Sequence, residues 1–181
     1  IKYRIPSAQR GCNMGFFGAI KYATIKNLTV SGVMDTQTVG GSSYYGGIVG
    51  DCQGKIINCV NEVDITVKGS SERGMSVGGI CGWIYAGTVG SAYAEIVGCV
   101  NRGTIYCEVT PEEDTLLVRA GGITNTVYAK IDGCYNAGDV TVKLLGPAIV
   151  SCLGIAHIYS ELEQKVINNC YNTGKISVET A

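Results

Sequence analysis

The sequence predicts an all-β fold, a β-solenoid of the parallel β-helix kind with about five coils, expected to be right-handed. Three observations predict it. A block best seen at Tyr128-Ala129-Lys130-Ile131-Asp132-Gly133-Cys134-Tyr135-Asn136-Ala137-Gly138-Asp139-Val140-Thr141-Val142 occurs five times without an internal gap. Within each copy apolar and polar residues alternate with the period of a strand, not of a helix. Glycine or asparagine returns at set places, as tight turns and close backbone stacking require.

Aligned on its cysteine, the block centres on Leu28, Cys59, Cys99, Cys134 and Cys170, spaced 31, 40, 35 and 36 residues apart. Three residues before the centre stand Ile25, Ile56, Ile96, Ile131 and Ile167. Two after it stand Val30, Asn61, Asn101, Asn136 and Asn172. The sixth place holds Met34, Ile65, Ile105, Val140 and Ile176, and the eighth Thr36, Val67, Cys107, Val142 and Val178. Such a unit cannot bury its apolar face alone, so neighbouring copies are expected to stack. At ~4.8 Å per coil the column is roughly 20–25 Å tall.

The organisation is read as a lead-in over residues 1–14 and one repeat domain over 15–181. Residues 15–20 are expected to open the first coil, and 46–50, 78–82, 121–125 and a degraded 146–151 the later ones. In the second coil the extended pieces are placed at 47–52, 55–59 and 64–68. The variable stretches 69–74, 86–92, 108–119 and 157–164 are read as surface loops. Of these, 160–165 suits a helical turn, and the acidic run at 111–114 is read as a solvated loop. The apolar run 144–159 is read as buried strand, shorter than the ~20 residues of a membrane helix.

Charged residues make up 16% of the chain, below the usual quarter, and the 26 glycines are about twice the usual share. A net charge of −1 argues against a nucleic-acid or polyanion partner, which would show as a basic face. No membrane insertion and no cofactor are expected. The chain opens on Ile1 without a leader, so further domains of a parent chain are expected. The first copy, with Leu28, Met34, Phe16 and Phe17, is read as a cap. The regular fifth copy is expected to leave an open edge, with end-to-end self-association as its consequence.

Cys59, Cys99, Cys134 and Cys170 share one inward place. A reduced thiol ladder is expected, because parallel Cβ vectors in register make the disulfide dihedral hard to reach. Some disulfide pairing and a metal site stand as alternatives. Asn61, Asn101, Asn136 and Asn172 are expected to form an amide ladder at a corner that tolerates positive φ, with Asn27, Asn58, Gly98, Gly133 and Asn169 obeying the same corner logic. Asn125 lies outside that ladder and is expected to matter less.

Chemistry is sparse. His157 is the only histidine and has no recognisable nucleophile and orienter beside it in sequence. Each Gly-Gly pair precedes a strand, so no phosphate-binding loop is expected. Tyr22, Tyr93 and Tyr128 are placed outward, six residues before the block centre, where Gln53 and Gln164 stand in the other coils. Such a row suits sugar rings or a protein partner. A lyase or hydrolase would need clustered outward acids. The corresponding row reads Asp64, Thr104, Asp139 and Lys175, whose two carboxylates lie a full coil apart, near the ~9.5 Å limit of an inverting pair.

The strings Gly47-Ile48-Val49-Gly50, Gly54-Lys55-Ile56-Ile57-Asn58-Cys59-Val60-Asn61 and Asn169-Cys170-Tyr171-Asn172-Thr173-Gly174-Lys175-Ile176 resemble the GLUG repeat of bacterial cell-surface and secreted proteins. The resemblance covers residues 15–178, departing from the pattern at Leu28, Val63 and Ala148. It implies a non-catalytic β-solenoid stalk or adhesin-like module, extracellular or on the bacterial surface, sometimes attached to secreted immunoglobulin-cleaving proteases. The partner it implies is a host-cell glycan or protein. A carbohydrate-binding module using the tyrosine row is the second reading, and a β-helix polysaccharide lyase or hydrolase the third.

Overall fold

The computed structural model describes residues 2–4, 11–39, 41–71, 74–85, 94–112, 116–158 and 166–181. Among them there is no helix, and every strand pairing is parallel. The chain is a β-solenoid of five stacked levels, about four turns from first to last. Three faces run up the column. The entry face holds Asn13–Met14, Ser43–Gly46, Met75–Gly78, Leu117–Gly121 and Ile149–Leu153. The middle face begins with Phe17–Lys26 and Val49–Ile57, and the long face with Thr29–Val39 and Val60–Ser71. In the upper coils the strands of these two faces are broken into shorter pieces.

The Gly-Gly pairs mark the corners between the entry and middle faces: the first glycine of each pair ends an entry-face strand. A Cβ on Gly46, Gly78 or Gly121 would collide with the carbonyl three residues on, at Val49, Cys81 or Thr124. A strand therefore precedes each pair, and the first coil opens at Asn13, two residues before the expected start. The piece expected at 64–68 is part of the longer strand Val60–Ser71, and of the piece expected at 55–59 residues 55–57 end the strand Val49–Ile57 while Asn58 and Cys59 turn the corner. Parts of the expected loops are strand as well: Ile105–Pro111 and Leu117–Gly121 occupy most of 108–119. Residues 86–92 and the helical turn expected at 160–165 lie outside the described residues. The run 144–159 is not one buried strand. It contains the strands Ile149–Leu153 and His157–Ile158, and residues 149–153 and His157 are half-buried or exposed because they belong to the top coil.

The second corner, between the middle and long faces, turns on one residue in the left-handed region. Asn27, Asn58 and Asn169 have φ of 57°, 51° and 50°, and Gly98 and Gly133 have 62° and 61°. Asn and Gly adopt this conformation at least cost. The ladder asparagines are not at positive φ, contrary to expectation: they are paired strand residues in register. The corner turns one residue before each cysteine and leaves a carbonyl facing inward. The thiol answers it: Cys59, Cys99, Cys134 and Cys170 Sγ donate to the carbonyls of Ile57, Val97, Asp132 and Asn168 at 3.2, 3.4, 3.5 and 3.0 Å. A small apolar side chain with a weak donor suits this place. Leu28 offers no such donor.

Two residues on, the amide ladder runs through the column. Asn61, Asn101 and Asn136 Nδ2 donate to the Oδ1 of the asparagine one coil up at 2.7, 2.7 and 2.6 Å. The other hydrogen of each Nδ2 serves the carbonyl two residues on, at Val63, Gly103 and Gly138, and Asn172 repeats this with Gly174. The second glycine of each corner pair makes room for the ladder. A Cβ on Gly47, Gly79, Gly122 or Gly154 would run into Asn61, Asn101, Asn136 or Asn172. The apolar interior is sealed around this: Ile56, Ile96 and Ile131 are fully buried, as are Cys59, Cys99 and Cys134. Each such isoleucine contributes roughly 1.5–3 kcal/mol by burial.

The bottom coil is covered by the lead-in, since Lys2–Arg4 pairs with Val33, Met34 and Asp35 at the edge of Thr29–Val39. Residues 1–14 are thus in part integral to the sheets. At the top Val178 is 50% exposed and Tyr171 is stacked on Tyr135 with ring centroids 4.2 Å apart.

Charges on the outer surface alternate from coil to coil. On the long face Lys68, Glu108, Lys143 and Glu179 share one row, with Lys143 3.0 Å and Lys68 4.0 Å from Glu108. On the middle face Lys55, Glu95 and Lys130 do the same, with Lys55 2.6 Å from Glu95. Exposed pairs of this kind contribute at most about 1 kcal/mol each, but like charges in register would oppose stacking.

Two outcomes are expected. Asn136→Ala removes two donated bonds and one accepted bond in a dry interior, and should destabilise by about 2–3 kcal/mol in urea unfolding. Asn172→Ala, half-exposed at the top, should cost less. All nine cysteines are free, six of them buried. Within the ladder, hydrogen bonds from Cys99 hold the Cys59 and Cys134 thiols down while Cys99 itself is pushed up, but all three are fully out of solvent, so burial and not acidity limits their reaction. Thiol titration without reductant should therefore recover nearly nine in the unfolded chain and only a slow, small fraction in the folded one. Recovery of five or fewer after unfolding would show disulfide pairing.

Candidate functional site

The tyrosines singled out by sequence do not share one register row. Tyr22 is 71% exposed with φ of 53°, at an irregularity where the pairing shifts between Lys21 and Thr24. Lys21, not Tyr22, pairs with Gln53. Tyr128 pairs with Tyr85. Tyr93 lies outside the described residues. The extra residue at the bulge and the long third coil defeat a count made back from the cysteine.

The acidic row is structural. Asp64 Oδ1 accepts from the N–H and hydroxyl of Thr104, both at 2.8 Å, and Asp139 Oδ1 accepts from the N–H of Lys175 at 2.7 Å. Each carboxylate fastens its own coil to the next. Of the acidic run at 111–114, residues 113 and 114 lie outside the described residues. His157 is half-buried and its N–H donates to the Asn125 carbonyl at 2.9 Å. Among the described residues no group of three His, Cys, Asp or Glu side chains is arranged to hold a metal ion.

A different cluster stands at the corner between the entry and middle faces. On the entry face Tyr44, Ser76 and Arg119 pair in register through the second, third and fourth coils. On the middle face Asp51 pairs with Trp83. The two rows meet: the rings of Tyr44 and Trp83 stack with centroids 5.1 Å apart and planes at 20°. Stacking of this kind contributes about 0.5–1.5 kcal/mol beyond burial. Burial raises the Tyr44 hydroxyl, the Asp51 charge raises it further, and Arg119 pulls it down, so all three groups share one field.

Two polar groups here are poorly served. Asp51 is half-buried, desolvation alone pushes its carboxyl above the usual range, and among the described residues no donor reaches it. Asn125, expected to matter less than the ladder asparagines, is fully buried as they are. It stands where Gly50 and Gly82 stand in the coils below, and its Nδ2 donates to Ser76 Oγ at 2.7 Å while its Oδ1 has no partner. Sequence reading passed over Tyr44, Asp51, Trp83 and Arg119, because they come from different places in the repeat. The one signal was that Trp83 is the only tryptophan.

The raised carboxyl of Asp51 has a consequence for pH. Its folded pKa lies above the unfolded value of about 3.9, so its burial favours folding below that value, and the benefit is lost as pH rises through the folded pKa. Trp83 emission should therefore change with pH around a midpoint above the ordinary aspartate range. Asp51→Asn should abolish that transition and leave stability at neutral pH equal or higher.

Compared with known proteins, the chain is matched by no family model, by no curated protein and by no solved structure.

Proposed function

We propose that this chain is a non-catalytic GLUG-type β-solenoid module, a rigid stalk or adhesive segment of a secreted or surface-attached bacterial protein. The observation that carries this reading is the continuous amide ladder from Asn61 to Asn172. It couples each coil to the next through the dry interior, as a load-transmitting rod requires. The outward carboxylates Asp64 and Asp139 support the same reading, since both serve inter-coil bonds and are unsuited to acid–base work on a substrate. The expected host-side partner is a glycan or protein.

The test is mechanical and enzymatic. Pulled from its two ends, the folded chain should resist and then yield coil by coil, each coil of about 35 residues releasing roughly 120 Å. Incubated with host and microbial polysaccharides, it should release no new reducing ends and no unsaturated products. Product release, or extension without resistance, overturns the proposal.

A further inference from the structure

We propose that the lower end of the column docks end-on against the surface of an anionic lipid bilayer, without inserting into it. The net charge of −1 conceals a division along the axis. Residues 1–39, which include the whole first coil, hold five of the 14 lysines and arginines and one of the 15 acidic residues, a net charge of +4. Residues 40–181 carry a net charge of −5. In the later coils the cations are largely neutralised locally: Lys55, Lys68, Arg102, Lys130 and Lys143 each stand within 4.0 Å of a carboxylate oxygen. Lys21 and Lys26 are exposed, and among the described residues neither has a carboxylate partner. Lys21 Nζ lies 5.2 Å from the centroid of the Tyr22 ring, a contact that leaves its charge intact.

These cations share a level on the axis but not a face. Lys21 and Lys26 belong to Phe17–Lys26 of the middle face, while Lys2–Arg4 runs along the lower edge of the long face, where Arg4 has Asp35 as its register partner. A linear polyanion lying along one face meets only part of the set, whereas a plane across the end of the column meets all of it. Lysine stems can lie along apolar surface and carry the ammonium past the last strand. Phe17 and Val33, each 37% exposed, stand on the same two faces of the same coil and suit the boundary between headgroups and acyl chains. Distance then decides the sign of the interaction. The field of an anionic bilayer fades over a Debye length of ~8 Å, and the third coil stands roughly 10 Å above the first. The five acids and one base of residues 75–115 are thus screened from a surface that the first coil touches. The upper end also exposes Ile149 and Val178, but residues 146–181 carry a net charge of −1, so charge distinguishes the two ends. Attraction of this kind acts through solvent, and no existing contact has to open. The inference does not depend on the stalk reading, since a rod that ignores bilayers would fail here and still pass the pulling test.

Co-sedimentation with vesicles tests it. At low salt the chain should pellet with phosphatidylcholine vesicles enriched in phosphatidylglycerol and not with phosphatidylcholine alone, and raising the salt to about 0.5 M should release it. Lys21→Ala and Lys26→Ala should each weaken binding about fivefold, and together about thirtyfold. Both side chains are exposed, so the urea midpoint of the double variant should match the wild type, which separates lost binding from lost fold. Lys130→Ala, on the middle face of the fourth coil, and Lys175→Ala, on the long face of the fifth, should leave binding unchanged. No pelleting with the enriched vesicles, or equal pelleting with both kinds, overturns the proposal. A loss with Lys130→Ala or Lys175→Ala as large as that of the double variant also overturns it, because the bilayer would then lie along a face. Binding to soluble polyglutamate, or self-association at low salt, in a chain that ignores the vesicles would assign the basic end to a linear polyanion or a second copy, and equally overturns it.

Discussion

The constraint on which the structure depends is the close approach of successive coils at the asparagine column. An amide that donates both upward and to its own chain lies in space that a Cβ on the facing corner glycine would occupy. Glycine and asparagine are therefore one device distributed over two corners. Around it the remaining choices follow. The left-handed residue turns the chain, the next residue is a cysteine whose thiol reaches the carbonyl left inside, and the isoleucine three residues before packs in the sealed interior. Each element is weak by itself. Repetition in register makes each coil the template for the next, and cooperativity of this nearest-neighbour kind is the usual energetics of solenoids.

Against this saturated interior the corner at Tyr44 and Trp83 is chemically different. The asparagine ladder and the outward carboxylates Asp64 and Asp139 have partners in the adjacent coil. At this corner a carboxylate and a buried amide oxygen lack them, next to two stacked rings. Asn125 interrupts a column of glycines, and Trp83 and Tyr44 interrupt rows of smaller residues. In a repeat protein the interruptions carry information that the repeats do not, since the stacking energy asks only for sameness.

The fold was legible because its governing interactions have the period of the repeat. The cysteine and asparagine places, the one-residue corner at Asn58 and its equivalents, and the inward parity of Ile65 and Val67 all followed from alignment on Cys59, Cys99, Cys134 and Cys170. What was not legible depends on contacts between faces. The strand Ser43–Gly46 and its equivalents were hidden because they precede the glycine pair that was taken for the start of a coil. The tyrosine row was misplaced because one bulge at Tyr22 changes the count on one strand but not on its neighbour. The corner cluster was invisible for the same reason: Tyr44 and Trp83 meet only after the chain has turned through a full coil and one corner more.

The alternation of charge on the outer surface gives the column a longer grain than its single coil. Lys55 and Lys130, Asp64 and Asp139, and Lys68 and Lys143 are each 75 positions apart, and between them the intervening coil carries the complementary group, Glu95, Thr104 or Glu108. A perfect duplication of one coil would set lysine over lysine along two rows at once. Duplication of a pair would not. The heritable unit of lengthening in such a column is thus two coils, and an insertion or loss of one coil would be marked on the surface by paired like charges until later substitutions removed them.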